Sequence, residues 1–290
     1  MAARAFCRDL CMARGEPAAG LGPSAGRYAL LHWPRGHWRV PRTSSHLMPE
    51  ALAGAIREAN AAGIHVALVD GDDIAFSHDG LVCRTATPEA AAALLRTVAE
   101  GGAWQGERDP RITVVCCTDG KQDPCCARYG FATWKALRQA ADPATFRILQ
   151  STHLGGCRFA ASLVVLPARA RYSRLAPAEV ADFLACLRDG VPYLPAYRGD
   201  PALGAAEQAA EHAVLTWAAR EGLSGNVLLG DASGEAGGDG RVEYRASIAG
   251  RAVRVCLENR GFTVNTRCET IGGGTPAQVL RWVATAVHGE

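Results

Sequence analysis

The sequence predicts an α/β fold, because short apolar runs rich in β-branched residues alternate with segments of helical spacing along most of its 290 residues. Two such runs, Ile64–Val69 and residues 111–116, are typical of buried strands. The second run leads directly into a polar loop rich in cysteine, and a helical segment and another strand follow. The chain is long enough for a large core and for two or three domains.

The first part of the chain, residues 1–105, is predicted to be an α/β lobe that flanks the core. The helix expected at residues 49–62 stops at Gly63, and the helix expected at residues 87–100 opens with the capping residue Thr87. The strands expected in this lobe are residues 28–33, Ile64–Val69, and a hairpin of residues 74–77 and 80–84.

The middle part, residues 106–200, is predicted to carry the chemistry. Strands are expected at residues 111–116, 145–149 and 159–166, and helices at residues 127–141 and 177–188. Polar loops follow the first two strands at their carboxyl ends, where open α/β sheets place their sites. This order of elements is typical of a thioredoxin-like sheet.

The last part, residues 201–290, is predicted to be a second flanking lobe that mixes helix and strand. A helix is expected at residues 202–220, followed by a glycine-rich loop at residues 230–240. The expected strands are Arg241–Ile248, 251–257 and 261–265, and a final helix is expected at residues 276–288. No internal repeat is evident in the sequence.

Composition and charge argue against several classes of function. The net charge is +2 with 21% charged residues, and no basic block is present that would follow a nucleic acid. No apolar run reaches transmembrane length, and the first residues lack the apolar region of a secretory signal. We therefore expect a cytoplasmic protein that binds neither membrane nor nucleic acid.

Cysteine usage indicates metal or redox chemistry. The chain has eleven cysteines, an odd number that no complete set of disulfides would use, and five of them fall within residues 116–157. A local group of thiols in a reducing compartment is typical of metal binding or redox work.

Two short loops hold the candidate ligands of an iron–sulfur cluster. The first loop carries Cys117 and Cys126, and the second carries His153 and Cys157 on either side of a Gly-Gly pair. Each iron of a [2Fe–2S] cluster takes two protein ligands, and thiolate and imidazole both serve. The sequence therefore predicts that these four residues bind one [2Fe–2S] cluster, and it indicates no catalytic residues.

Adjacent cysteines leave alternatives for the ligands of the first loop. Cys116 is the alternate to Cys117, but it continues the apolar strand, so its side chain is expected to face the core. Cys125 is the alternate to Cys126. Cys83, Cys186, Cys256 and Cys268 are expected to pack as small apolar residues. Cys7 and Cys11 lie one helical turn apart and could bind metal, but no partner pair is in view, so packing or exposure is expected for them.

The residues of both loops resemble those of the sucrase/ferredoxin-like family. Residues 117–130 resemble its signature C-T-H-G-x-x-D-x-C-C-A-x-x-G, and residues 153–160 resemble its signature H-x-G-G-H-R-F-A. The resemblance implies a thioredoxin-like ferredoxin domain that holds a [2Fe–2S] cluster. No paired carboxylates in a glycosidase arrangement accompany these motifs.

Two positions depart from the family pattern. Asp119 stands where the family has a histidine, and it is expected to cap a turn. Cys157 stands where the family often has a second histidine. A thiolate in place of a neutral imidazole adds negative charge, which disfavours reduction. We expect a potential between the Rieske range and the plant-ferredoxin value of roughly −400 mV.

The predicted function is one-electron transfer to or from an unidentified redox partner protein. We expect an electron carrier rather than a catalyst. The protein could also form a homo-oligomer. Two alternatives use the same residues. One is a thiol-based redox protein, although the usual C-x-x-C is missing. The other is a structural zinc site with three cysteines and one histidine. Visible colour would separate the cluster from both.

Overall fold

The computed structural model describes residues 4–22, 25–233 and 240–290, which fold into a nine-stranded mixed sheet and a four-stranded antiparallel sheet. The N-terminal segment forms helix α1 (Cys7–Ala13). In the described residues, no helix combines the length and the apolar character that crossing a bilayer requires.

The first half of the large sheet is built around a parallel pair of strands. Its elements are β1 (Arg27–His32), α2 (Glu50–Ala61), β2 (Ile64–Val69), β3 (Ala75–His78), β4 (Leu81–Arg84), α3 (Pro88–Ala99) and β5 (Glu107–Arg108). Strand β1 lies parallel to β2 and antiparallel to β3, and β4 continues the sheet beyond β3. Leu52 and Ile56 of α2 and Leu95 of α3 are buried in the core on one face of this half.

The second half has the same order of elements. They are β6 (Ile112–Cys117), a π-helical turn (Cys126–Gly130), α4 (Phe131–Ala140), β7 (Phe146–Ser151), β8 (Ser162–Leu166), β9 (Ala170–Ser173) and α5 (Val180–Arg188). Strand β6 is parallel to β7 and antiparallel to β8, and β9 follows β8. A parallel βαβ pair followed by an antiparallel hairpin and a helix is the thioredoxin-like topology, so the predicted α/β fold class is confirmed. Strand β9 was not anticipated.

The two halves are topological repeats joined edge to edge. Strand β2 corresponds to β7, and these two strands pair antiparallel at their carboxyl ends, with Val69 opposite Ser151. Such a pairing of equivalent edges is what a two-fold axis between the halves produces. The chain shows no matching sequence repeat, because the same topology requires only similar apolar patterning and not the same residues.

The C-terminal sheet is a meander that packs on one helix. Helix α6 (Ala205–Arg220) precedes β10 (Leu228–Ser233), β11 (Arg241–Ile248), β12 (Arg251–Val264) and β13 (Ala277–Gly289). Val214 of α6 is buried among apolar residues of this sheet, including Val255 and Leu257. Residues 234–239 of the expected glycine-rich loop lie outside the described residues.

The prediction of a helix at residues 276–288 is wrong, because this segment forms strand β13. It pairs with β12 from Val264 opposite Ala277 to Val253 opposite Gly289. Its apolar residues fit both helical and alternating spacing, and β-branched residues such as Val279 and Val283 favour a strand. The segment is a strand because the free edge of β12 provides backbone hydrogen-bond partners along its length. The two short strands expected at residues 251–257 and 261–265 are correspondingly one long strand.

A buried carboxylate connects three remote parts of the fold. Glu16 follows α1, and its side chain has no exposed surface. It accepts hydrogen bonds from Arg158 at 2.9 Å and from Arg281 of β13 at 3.0 Å, and Arg174 donates to its backbone oxygen at 2.7 Å. These contacts hold the N-terminal segment between the second half-sheet and the C-terminal sheet.

We expect Glu16→Gln to destabilise the protein by about 3–5 kcal/mol, because it leaves three largely buried arginines without their counter-charge. Glu50→Gln is the matched control, since Glu50 is exposed and pairs with the exposed Arg57; it should change stability by about 0.5 kcal/mol or less. Urea unfolding followed by circular dichroism measures both. Equal small effects for the two variants would show that the Glu16 contacts contribute little.

Candidate metal centre

The first ligand loop leaves the carboxyl end of β6 and returns in the π-helical turn. Cys117 is the last residue of β6, and Cys126 opens the turn with its N–H donating to the backbone oxygen of Asp123 at 3.0 Å. A Cβ atom at Gly130 would lie 2.0 Å from the backbone oxygen of Cys117, so this position requires glycine. The close approach brings the turn against the end of the strand, and Cys126 beside Cys117.

The second ligand loop leaves the carboxyl end of β7, next to the first. Gly155 (φ 91°) and Gly156 (φ 71°) both adopt left-handed backbone conformations that favour glycine. They reverse the chain so that His153 and Cys157 face the same space, with 3.7 Å between His153 Nδ1 and Cys157 Sγ. The His153 N–H donates to the carboxylate of Asp119 at 3.3 Å, which ties the two loops together.

The four predicted ligands meet in a ring. His153 Nδ1 lies 3.7 Å from Cys157 Sγ, and the pKa values of Cys117 and Cys157 are both lowered by the neighbouring Cys126 thiol and His153 imidazole. The three cysteines are buried, and His153 is half-buried. The ring is open, because no three of its donor atoms lie within 4.8 Å of one another.

Hydrogen bonding divides the protons of the ring unequally. Donation from Cys126, then from His153, holds the pKa of Cys117 well below the usual thiol range despite burial, and lowers that of Cys157 to about 6. The same hydrogen bonds raise the pKa of the Cys126 thiol well above its usual value. Burial lowers the pKa of His153, but both thiolates outweigh burial and raise it to about 9. In the metal-free ring, hydrogen bonding therefore favours the thiolate at Cys117 and Cys157, the thiol at Cys126 and the imidazolium at His153.

Both alternate cysteines lie outside the ring. Cys116 faces the opposite side of β6, where its thiol donates to the backbone oxygen of Gly130 at 3.4 Å. Cys125 points away from Cys126, and its sulfur lies 3.4 Å from that of Cys7 and 3.3 Å from that of Cys268. Cys7 is buried and Cys268 packs against the same apolar cluster, and the sulfurs of both also lie beside that of Cys125. Their partner is remote in sequence, so local pattern could not find it.

The first half of the sheet contributes Arg42, which no motif in the sequence indicates. Its guanidinium donates to the backbone oxygen of His153 at 3.0 Å and to that of Val66. Burial lowers the pKa of Arg42, while the charges of Asp119 and Cys117 raise it. Arg42 thus brings a positive charge to the back of the ring. It lies in a polar turn far from both ligand loops in sequence, and the pairing of β2 with β7 places it there.

The fold and the ring define an α/β protein of thioredoxin-like topology with a soft-ligand centre between two loops. The chain belongs to the sucrase/ferredoxin-like family, whose model matches residues 41–199. That stretch includes both ligand loops and most of the large sheet.

The chain is also similar to solved structures described as a thioredoxin-like [2Fe–2S] ferredoxin from Aquifex aeolicus. One match has 20% identity and a TM-score of 0.28, and it covers 31% of this chain and 91% of the other. A second, of the wild-type protein, has the same identity and TM-score and covers 31% and 97%. The comparison with curated proteins gave no match.

In the reduced, metal-free protein, we expect the His153 imidazole to titrate near pH 9. Cys117→Ala and Cys157→Ala should each lower this pKa, because each removes an acceptor while burial continues to act against the charged form. Histidine side-chain NMR measures the titration. His65 is the internal control, since burial lowers its pKa to about 3 and it should stay neutral throughout. A His153 that titrates near pH 6.5 in all forms would contradict the ring.

Proposed function

We propose that this protein is an electron carrier that holds one [2Fe–2S] cluster on Cys117, Cys126, His153 and Cys157. The observation that carries the proposal is the open ring of three sulfurs and one imidazole between two loops. Membership in a family described as ferredoxin-like supports it. When bound, the cluster would supply one-electron redox chemistry.

The donor set fits the cluster in type and number. Thiolate and imidazole are the ligands that such clusters accept, and each loop offers one pair, as two irons require. A single tetrahedral ion with sulfur about 2.3 Å away would bring its sulfurs to about 3.8 Å from one another. The ring is wider, since no three of its donors lie within 4.8 Å of one another. Its openness favours a binuclear cluster over a single zinc ion.

The surroundings of the ring suit an electron-transfer site. His153 is half-buried while the three cysteines are buried, so the imidazole lies nearest to solvent. Gly155 and Gly156 beside it present little side-chain bulk, so a partner could approach closely. We propose that an unidentified redox partner protein docks at this edge. All eleven cysteines are free, which fits the reducing compartment that the proposal assumes.

The first test is the visible spectrum of the protein purified without oxygen, before and after dithionite. We expect sulfide-to-iron absorption bands that bleach on reduction. Cys117→Ala and Cys126→Ala should each lose these bands, because each removes a ligand. Cys116→Ala is the matched control and should retain them, since its side chain lies on the other face of β6.

Each other outcome has a defined meaning. Intact bands in Cys117→Ala and Cys126→Ala would contradict the ligand assignment. A colourless protein with zinc bound to the ring would favour the structural zinc alternative. A colourless protein without metal, which reconstitution with iron and sulfide leaves colourless, would favour a thiol-based redox role.

Cys157→His should keep the cluster and raise its reduction potential by on the order of 100 mV, because neutral imidazole replaces a thiolate and reduction then adds charge to a less negative site. Redox titration followed by absorbance or electron paramagnetic resonance measures the change. Cys256→His, on β12 of the C-terminal sheet, is the control and should leave the potential unchanged. An unchanged potential in Cys157→His would remove Cys157 from the ligand set.

A further inference from the structure

A second group of sulfur atoms lies beside the ring. The Sγ–Sγ distances are 3.4 Å between Cys7 and Cys125, 3.3 Å between Cys125 and Cys268, and 3.7 Å between Cys7 and Cys268. A carboxylate oxygen of Asp123 completes the group, and all four donor atoms lie within 4.8 Å of one another. The group, here called the sulfur triangle, joins the start of α1, the first ligand loop and the short turn after β12.

The distances fit one tetrahedral metal ion. A disulfide would need about 2.05 Å between sulfurs, so no two of these cysteines are bonded. Sulfurs held about 2.3 Å from a tetrahedral zinc ion are about 3.8 Å apart. The three measured separations are close to that value, whereas the ring of Cys117, Cys126, His153 and Cys157 is wider. The two sites therefore differ in the kind of metal centre that they suit.

Backbone groups fix the donors of the sulfur triangle. The N–H of Arg8 points at the sulfur of Cys125, and the N–H of Cys7 points at the sulfur of Cys268. The Asp123 carboxylate accepts the N–H of Cys125 on one oxygen and the N–H of Cys268 on the other, both at 2.8 Å. Hydrogen bonds from Cys7 and from the Arg8 N–H lower the pKa of the Cys125 thiol, and a thiolate is the form that binds metal. Burial raises the pKa of Cys268 to about 12, so binding of a metal ion there would release a proton.

We propose that Cys7, Cys125, Cys268 and Asp123 bind one Zn²⁺ ion, separate from the cluster site. Three thiolates and one carboxylate form a closed tetrahedral set, which is typical of structural rather than catalytic zinc. Cys7, Cys125 and Asp123 are buried, while Cys268 is half-buried and leaves a route for the ion to enter.

The ion would link parts of the chain that are far apart in sequence. Cys125 lies 118 residues from Cys7 and 143 residues from Cys268. Cross-links that close long loops restrict the unfolded chain most. Because Cys125 directly precedes Cys126, the zinc would also fix the position of a ligand of the ring.

The test is metal analysis of the full-length protein purified under reducing conditions. We expect one zinc per chain in addition to any metal in the ring. Cys7→Ser and Cys268→Ser should each lose that zinc while keeping the metal and the visible spectrum of the ring. Cys11→Ser is the matched control and should keep the zinc. It is buried on the same helix, one turn from Cys7, and its thiol donates to the backbone oxygen of Asn265 instead.

The readouts separate this proposal from the proposed function. Cys117→Ala should lose iron but keep the zinc. If the ring itself holds zinc, the wild type should contain two zinc ions and Cys268→Ser one, which contradicts the electron-carrier proposal and supports this one. Cys268 lies in a short turn and is only half-buried, so we expect Cys268→Ser to fold. This variant therefore tests the proposal even if Cys7→Ser fails to fold.

Three results would overturn the zinc proposal. They are a wild type with no zinc outside the ring, zinc retained in Cys268→Ser, and a disulfide between two cysteines of the sulfur triangle in mass spectra of the protein alkylated before unfolding.

Discussion

The large sheet and the candidate metal centre both depend on the pairing of two edge strands, β2 and β7. The Thr152 N–H donates to the oxygen of Leu68 at 2.9 Å, and the Asp70 N–H donates to the oxygen of Gln150 at 3.2 Å. Without this pairing, each half-sheet would leave an exposed edge, which proteins generally avoid. Because the strands meet at their carboxyl ends, the loops that leave one half are brought against the loops that leave the other.

The loops of the two halves support each other reciprocally. Arg42, in the loop after β1, donates to the backbone oxygen of His153, and Lys121, in the equivalent loop after β6, donates to that of Trp38. The thiols of the ring belong to the second half alone, since β1 leads into Trp33 and β2 into Asp70 where the second half has its cysteine-bearing loops. The first half thus acts as a support for a centre that it does not itself contain.

Local pattern was sufficient for the elements and residues whose partners are close in sequence. Strands Ile64–Val69 and Arg241–Ile248 were predicted at their observed bounds, because apolar runs and turn residues mark them. The four residues of the ring were selected from two short loops. Local pattern was not sufficient where a remote partner decides the structure. Segment 277–289 is a strand because β12 offers an edge, and the contacts of Cys7 with Cys125 and of Arg42 with His153 are tertiary.

The adjacent cysteines Cys125 and Cys126 place one sulfur in each of the two neighbouring sulfur groups. Successive residues in a helical turn point in different directions, so one cysteine reaches the sulfur triangle and the next reaches the ring. The hydrogen bond to Cys125 raises the pKa of Cys7, and burial raises that of Cys268, so without a metal ion both of these thiols keep their protons at neutral pH. A divalent cation in the sulfur triangle would displace these two protons, so the proposed zinc site would add no net negative charge beside the ring.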